Sequence, residues 1–298
     1  MNPLDELKRM FRQGGALTQL IIINIGVFLI LKLLGVLFFL FQRENLEQMV
    51  LGYLALPADP ELLLKKPWTL VTYMFLHYDF FHILFNLLWL YWFGKIFTEY
   101  LNQKKLYSVY LLGGLSGGAV YILAYNLFPA FSGAVEQSVA LGASAAVLAV
   151  VMAAAFYVPN YTIRLMFFGP VKLKHIALIT VLIDILSIRS NNAGGHLAHL
   201  GGALFGFLYA MQLQRGKDMT KGFNRLMDSL FSLFHRRQPR MKVKYRKPEG
   251  KPETDMEYNA RKAAEQRDID RILEKISRNG YDGLSREEKE LLFRNSKK

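Results

Sequence analysis

The sequence predicts an all-α membrane protein: a bundle of six transmembrane helices followed by a soluble, basic tail that ends in a helical hairpin. Three observations carry this expectation. Apolar residues make up 52% of the 298-residue chain, high for a soluble domain of ordinary composition. Nearly all of them precede residue 215, in runs too continuous to be the amphipathic faces of soluble helices. The remainder, 215–298, is polar and holds 23 Lys and Arg against 14 Asp and Glu, which is +9 of the total charge of +13. Three segments follow: a membrane domain over 1–214, a basic polar linker over 215–259, and a small hairpin over 260–298.

An apolar run of about 18 residues reads as a transmembrane helix, because lipid offers backbone polar groups no partner outside the helix. Six such runs are present, at 16–41, 80–97, 106–128, 139–157, 173–188 and 195–213. The first is too long for a signal peptide, and no small-residue cleavage site follows it. Ahead of it, Leu4, Leu7, Met10 and Phe11 recur at helical spacing among Lys8, Arg9 and Arg12. That pattern fits a short helix lying in the membrane interface, with a disordered leader as the open alternative.

Loop charges give the orientation. One set of connections carries Lys8, Arg9, Arg12, Lys95, Lys104, Lys105, Arg164, Lys172 and Lys174, and the alternate set only Arg43, Lys65, Lys66 and Arg189. Both termini are therefore expected in the cytoplasm, and the second, fourth and sixth runs start at the outer face. The long outer connection 42–78 is rich in Leu, Phe, Tyr and Trp, which suits a loop partly seated in the interface. The chain has no cysteine. Disulfides, thiol nucleophiles and Cys-based metal sites are excluded.

Polar side chains inside apolar runs need a partner or a task. Asp79 stands where it can cap the second helix. His82 and Asn86 follow at i and i+4, on one helical face and about 6 Å apart along the axis. Ser144 lies in Leu141-Gly142-Ala143-Ser144-Ala145-Ala146 near the outer end of the fourth run, and His199 lies near the outer end of the sixth. Three helices thus bring a serine, a histidine and a His/Asn pair to one depth. A serine hydroxyl becomes a nucleophile when an imidazole takes its proton. A tetrahedral intermediate in a low-dielectric site needs donors aimed at its oxyanion. The Asn86 amide, the Ser144 backbone N–H and His82 are such donors.

Plainer readings stand beside this one. A lone Ser in an apolar helix commonly bonds its own i−4 carbonyl, and flanking Gly and Ala commonly mark tight helix packing. Asp184, in the fifth run, reads as a structural hydrogen-bond acceptor. Gly114-Leu115-Ser116-Gly117 offers a second serine, but near the bilayer centre, on the order of 15 Å from either surface, where water is scarce. The shared depth favours Ser144.

His82-x-x-x-Asn86, Gly142-x-Ser144 and Ala198-His199-x-Gly201-Gly202-x-x-x-Gly206, in this order and on these helices, resemble the rhomboid family of intramembrane serine proteases. The resemblance covers roughly 17–213. It implies a six-helix bundle with a Ser144–His199 dyad, no third carboxylate, and an oxyanion site made by His82, Asn86 and the Ser144 backbone. It also implies helix packing through Gly142, Gly202 and Gly206, and cleavage of transmembrane segments of other proteins near the outer surface through an acyl-enzyme. No cofactor or metal is implied. Three positions depart from the family pattern: Ala145 where Gly is usual, Leu148 where an aromatic stacks on the histidine, and Thr69 where Arg follows Trp68.

In the tail, Lys and Arg between Arg236 and Lys251 suit contact with an anionic leaflet rather than nucleic acid, since only Tyr245 interrupts the charges. Ile269, Ile272, Leu273 and Ile276 recur at helical spacing up to Gly280, and Ser285 with Glu288 marks a capping box for a second helix. The partner of this hairpin is not written in the sequence. Transmembrane proteins and the bilayer are the expected partners, and a bacterial plasma (inner) membrane the expected site. Two rival readings are a non-catalytic binder of client helices on the same scaffold and a small-solute transporter. The intact Ser144 and His199 weigh against the first, and polar groups gathered in one leaflet against the second.

Overall fold

The computed structural model describes residues 2–165, 169–190, 192–234 and 254–295. The chain divides into two compact units, 1–236 and 237–298. In the first, an amphipathic helix α1 (Pro3–Gln13) leads into α2 (Ala16–Leu40). The long connection that follows is folded, with α3 (Glu44–Leu54), a two-residue strand β1 (Leu56–Pro57), α4 (Pro60–Lys65), α5 (Thr69–Thr72) and a 3-10 turn at Tyr73–Phe75. Next come α6 (Phe80–Tyr100), α7 (Gln103–Leu127), a 3-10 turn at Pro129–Ala134 and strand β2 (Val139–Ala140). The unit continues through α8 (Ser144–Tyr157), the β3–β4 hairpin (Thr162–Leu165 and Gly169–Lys172), α9 (Leu173–Ser187), α10 (Ala193–Gln214) and α11 (Lys221–Phe234).

By length and composition, three of these helices can cross a membrane: α2, α6 and α7. Helix α8 is apolar but only 14 residues long, about 21 Å. It is the centre of the bundle. Every residue from Ala145 to Ala155 is buried, which accounts for a helix apolar on all sides. Helices α6, α7, α9 and α10 surround it. Helix α2 lies outside. Its polar residue Asn24 is fully buried and donates to the Leu20 carbonyl at 2.8 Å and to the Tyr110 hydroxyl at 3.2 Å. Tyr110 in turn donates to the Met74 carbonyl at 3.0 Å, so a chain of hydrogen bonds links the outer helix to the loop before α6.

Side-chain caps start the long helices. Asp79 accepts from the His82 N–H, Asn102 from the Lys105 N–H, and Asn192 from the Gly195 N–H. Each satisfies a donor that the first helical turn leaves open.

The bundle has two distinct ends. At one, Gln214 donates to the Phe156 and Tyr157 carbonyls, and the Tyr100 and Tyr161 rings meet edge-on at 6.1 Å. Helix α11 docks at this end through Lys104–Asp228 and a Ser108 hydroxyl donating to Asn224, and the turn before it through Lys105–Asp218. At the other end, β1 pairs antiparallel with β2, Leu56 opposite Ala140, and the Gly142 N–H donates to the Tyr73 carbonyl at 2.9 Å.

Two expectations need correction. The fourth apolar run does not enter its helix at 139. Val139 and Ala140 are tied to β1, and Gly142 has a φ of +134° that no helix accepts, so the helix starts at Ser144. The stretch 215–259, expected as linker, contains α11 and the first residues of α12 (Asp255–Asn279). Phe223, Met227, Leu230 and Phe234 recur along α11 at helical spacing, a pattern that the surrounding charges conceal. The basic cluster from Arg236 to Lys251 lies outside the described residues.

In the second unit, α12 begins with a reciprocal capping box between Thr254 and Glu257 and ends at Gly280, whose φ is +70°. Helix α13 (Arg286–Asn295) begins with a second box between Ser285 and Glu288. Ile272 and Leu284 are buried between them, and Lys275 bridges to Glu288 at 2.9 Å.

Candidate active site

The site grows from a close approach of helices. A Cβ on Gly202 of α10 would collide with the backbone of Ala145 on α8, and one on Gly206 would collide with that of Ala149. A Cβ on Gly201 would lie 2.9 Å from the Gly117 Cα of α7. Only hydrogen in place of a side chain lets α7, α8 and α10 meet at these points. Ser144 directly precedes Ala145, and His199 stands about one turn before Gly202. The contact that aligns Ala145 with Gly202 therefore sets the serine and the histidine at one level.

Ser144 is the first residue of α8. Its backbone N–H belongs to the turn whose donors have no partner within the helix, where the helix dipole favours negative charge. Gly142, two residues earlier, carries the positive φ that turns the chain into the helix. A Cβ there would lie 2.9 Å from His82 Nε2 and 3.4 Å from Ser144 Oγ. The imidazole of His82 thus lies over the Gly142–Ser144 turn. The Tyr78 N–H donates to His82 Nδ1 at 3.4 Å. With Nδ1 accepting, the proton of a neutral ring sits on Nε2, which becomes a donor facing the turn. One turn further along α6, the Asn86 amide gives one N–H to the His82 carbonyl at 2.8 Å and keeps its second N–H free of that bond.

His199 has the opposite arrangement. Its Nδ1 lies 2.8 Å from Asp184 Oδ1, on α9. A carboxylate only accepts, so Nδ1 carries the proton and Nε2 keeps its lone pair. His196 Nδ1 lies at the same 2.8 Å from the same oxygen. Asp184 is buried, and its other oxygen meets no donor among the described residues. The resemblance implies no carboxylate beside the histidine. Here one stands on it, brought from a separate helix.

A cavity of about 500 Å³ joins these parts. Ser144, His199, His82, Asn86 and Asp184 all line it, with Leu148 and Trp89 among the apolar wall residues. Ser116 does not line it and donates to the Gly201 carbonyl at 2.9 Å, a bond between α7 and α10. Among the described residues, one group has the types and spacing to hold a metal ion: Asp184, His196 and His199, whose ligand atoms lie within 4.8 Å of one another.

The three departures from the family pattern have local explanations. The Ala145 methyl points at Gly117, where a Cβ would come within 2.5 Å of it, so the glycine on α7 makes the room. With Leu148 at this position, no ring among the described residues stacks on His199. The ring contact it does make is edge-on with His196 at 5.8 Å. Thr69 is fully buried and donates to the Lys66 carbonyl at 2.7 Å. Its loop is pinned to the last turn of α3: Lys66 donates to the Gly52 carbonyl, Trp68 Nε1 to that of Tyr53 and Thr72 to that of Leu54. These are the carbonyls a helix end leaves unsatisfied.

His77 is buried beside the site, its ring 5.0 Å from that of His82. Burial pushes its pKa down to about 4, with the neighbouring His82 adding to the shift, so His77 is neutral at physiological pH.

Comparison with known proteins agrees with this architecture. Residues 64–216 match the family described as "Rhomboid domain", and residues 253–298 match a family of unknown function, DUF6576. The chain is 32% identical over 158 residues to "RHOMBOID-like protein 12, mitochondrial" of Arabidopsis thaliana, covering 50% of this chain and 47% of that one. It is 32% identical over 101 residues to "Rhomboid protease GlpG" of Klebsiella pneumoniae, covering 34% of this chain and 32% of that one. The Salmonella newport protein of the same name is 36% identical over 74 residues, 25% of this chain and 26% of its own. The chain spans less than half the length of these curated relatives. The family match covers just over half of the present chain, the apolar helices fit a bilayer, and the protein is an integral membrane protein that belongs to the rhomboid family.

Proposed function

We propose that the protein is an intramembrane serine endopeptidase that cuts transmembrane segments of other membrane proteins. The observation that carries the reading is the meeting of Ser144, His199, His82 and Asn86 on one cavity inside a bundle of apolar helices. Ser144 Oγ attacks the scissile carbonyl carbon and passes its proton to His199 Nε2. The oxyanion is received by the Ser144 N–H, the free N–H of Asn86 and His82 Nε2–H. His199 then protonates the leaving amine as the C–N bond breaks, and water hydrolyses the acyl-enzyme with His199 as base. The chemistry uses no cofactor.

Six membrane crossings and cytoplasmic termini complete the proposal, with the site near the outer face. The basic end of the bundle, where α11 docks, is then the inner end. A bacterial plasma membrane suits this arrangement. The α12–α13 hairpin then lies on the cytoplasmic side.

A rival reading keeps the scaffold and discards the chemistry, leaving a protein that binds client helices without cutting them. A serine-directed phosphonate probe separates the two. The purified protein in detergent is expected to form one adduct, mapped by peptide mass to Ser144, in both wild type and Ser116→Ala. No adduct favours the binder, and an adduct on Ser116 would move the nucleophile away from Ser144.

A further inference from the structure

We propose that Asp184 is a positioning residue for His199, so that the site works as a Ser144–His199–Asp184 triad with His196 anchoring the carboxylate. The inference rests on the protease reading for its kinetic consequences, while its structural content stands on hydrogen-bond geometry alone.

A general base must present a bare nitrogen to the serine hydroxyl. An imidazole has two tautomers of similar energy, and its ring turns freely about two side-chain torsions unless something holds it. Packing gives little hold here, since Leu148 supplies no stacked ring and the His196 contact is edge-on. The carboxylate supplies it instead. Asp184 Oδ1 at 2.8 Å from Nδ1 keeps the proton on that nitrogen, leaves Nε2 bare, and is placed to stabilise the imidazolium formed when the serine proton arrives.

The carboxylate is itself held. His196 reaches the same Oδ1 at 2.8 Å from one turn earlier on α10, so two N–H donors of one helix fix an acceptor on its neighbour. Asp184 is 4% exposed. A carboxylate withdrawn from bulk water within an apolar helix costs more than an uncharged acceptor would. A single hydroxyl acceptor at this position would bridge α9 to α10 more cheaply.

The test uses the full-length protein, wild type and Asp184→Asn, in detergent micelles and in liposomes with a transmembrane substrate. Asparagine keeps the shape and removes the charge and the obligate acceptor. The expected result is a fall in kcat of about 10²- to 10⁴-fold with KM changed less than threefold and the thermal midpoint within a few degrees of wild type. Nitrogen-15 spectra of histidine-labelled protein, assigned with His199→Ala, read the tautomer without any substrate. Wild-type His199 is expected to hold its proton on Nδ1, and Asp184→Asn to lose that preference. A wild-type His199 protonated on Nε2, or an Asp184→Asn protein with unchanged kcat and tautomer, overturns the inference. Should the wild type cut nothing, the protease reading fails, and the nitrogen spectra still decide the role of Asp184.

Discussion

Gly202→Val is expected to separate α10 from α8 and to abolish activity, although residue 202 touches no reacting atom. The added Cβ would meet the carbonyl, the carbonyl carbon and the Cα of Ala145. Backbone cannot swing aside as a side-chain tip can. Overpacking a core costs about 1 to 3 kcal/mol when side chains adjust, and a backbone collision at the centre of the bundle belongs at the upper end or beyond. The helices must part or shear, and His199, one turn away, moves with α10. A shift of about 1 Å at a reacting group costs on the order of 100-fold in rate. Gly133→Val is the control, because a Cβ there meets nothing within 4 Å. Thermal unfolding in detergent and cleavage assays on both variants check the expectation. A Gly202→Val protein with wild-type stability and rate would show that the close approach does not hold the site.

His199→Ala is expected to lower kcat by a factor on the order of 10⁴ or more, and the His199→Ala/Ser144→Ala double variant to be no slower than either single one. In the proposed mechanism the two side chains carry out one proton transfer. Without the imidazole the hydroxyl is a poor nucleophile, and without the hydroxyl the imidazole has nothing to deprotonate. Residual cleavage in either variant reflects the oxyanion donors and binding alone. Single-turnover rates with a saturating transmembrane substrate measure this. Strictly additive losses would mean that Ser144 and His199 act in separate steps.

Much of this arrangement is legible in the sequence. Lipid-exposed helices must be apolar, so polar groups that persist in them stand out. His82, Asn86, Ser144 and His199 are all conspicuous for that reason, and all line the cavity. Caps are local, and Asp79, Gly280 and the Ser285–Glu288 box are readable from a few neighbouring residues. Long-range pairing is not. Asp184 is visible as a polar residue, but its meeting with two histidines depends on how α9 packs on α10, which no spacing within α9 encodes. Asn24 passes unremarked in a long apolar run, and its partner Tyr110 lies 86 residues away. The start of α8 is misjudged because apolar residues 139–141 continue the run, while the pairing of β2 with β1 and the positive φ of Gly142 end it. The links from Lys66, Trp68 and Thr72 to α3 go to backbone carbonyls, which every residue possesses and no sequence pattern marks.

Ser144 is proposed to cut a peptide bond within a membrane-embedded partner. The most direct test is co-expression with a reporter that carries a helix-destabilised transmembrane segment, comparing wild type, Ser144→Ala and Ser116→Ala at matched expression. A cleaved reporter is expected with wild type and Ser116→Ala, and an intact one with Ser144→Ala. Cleavage by Ser144→Ala at the wild-type level would contradict this role for Ser144.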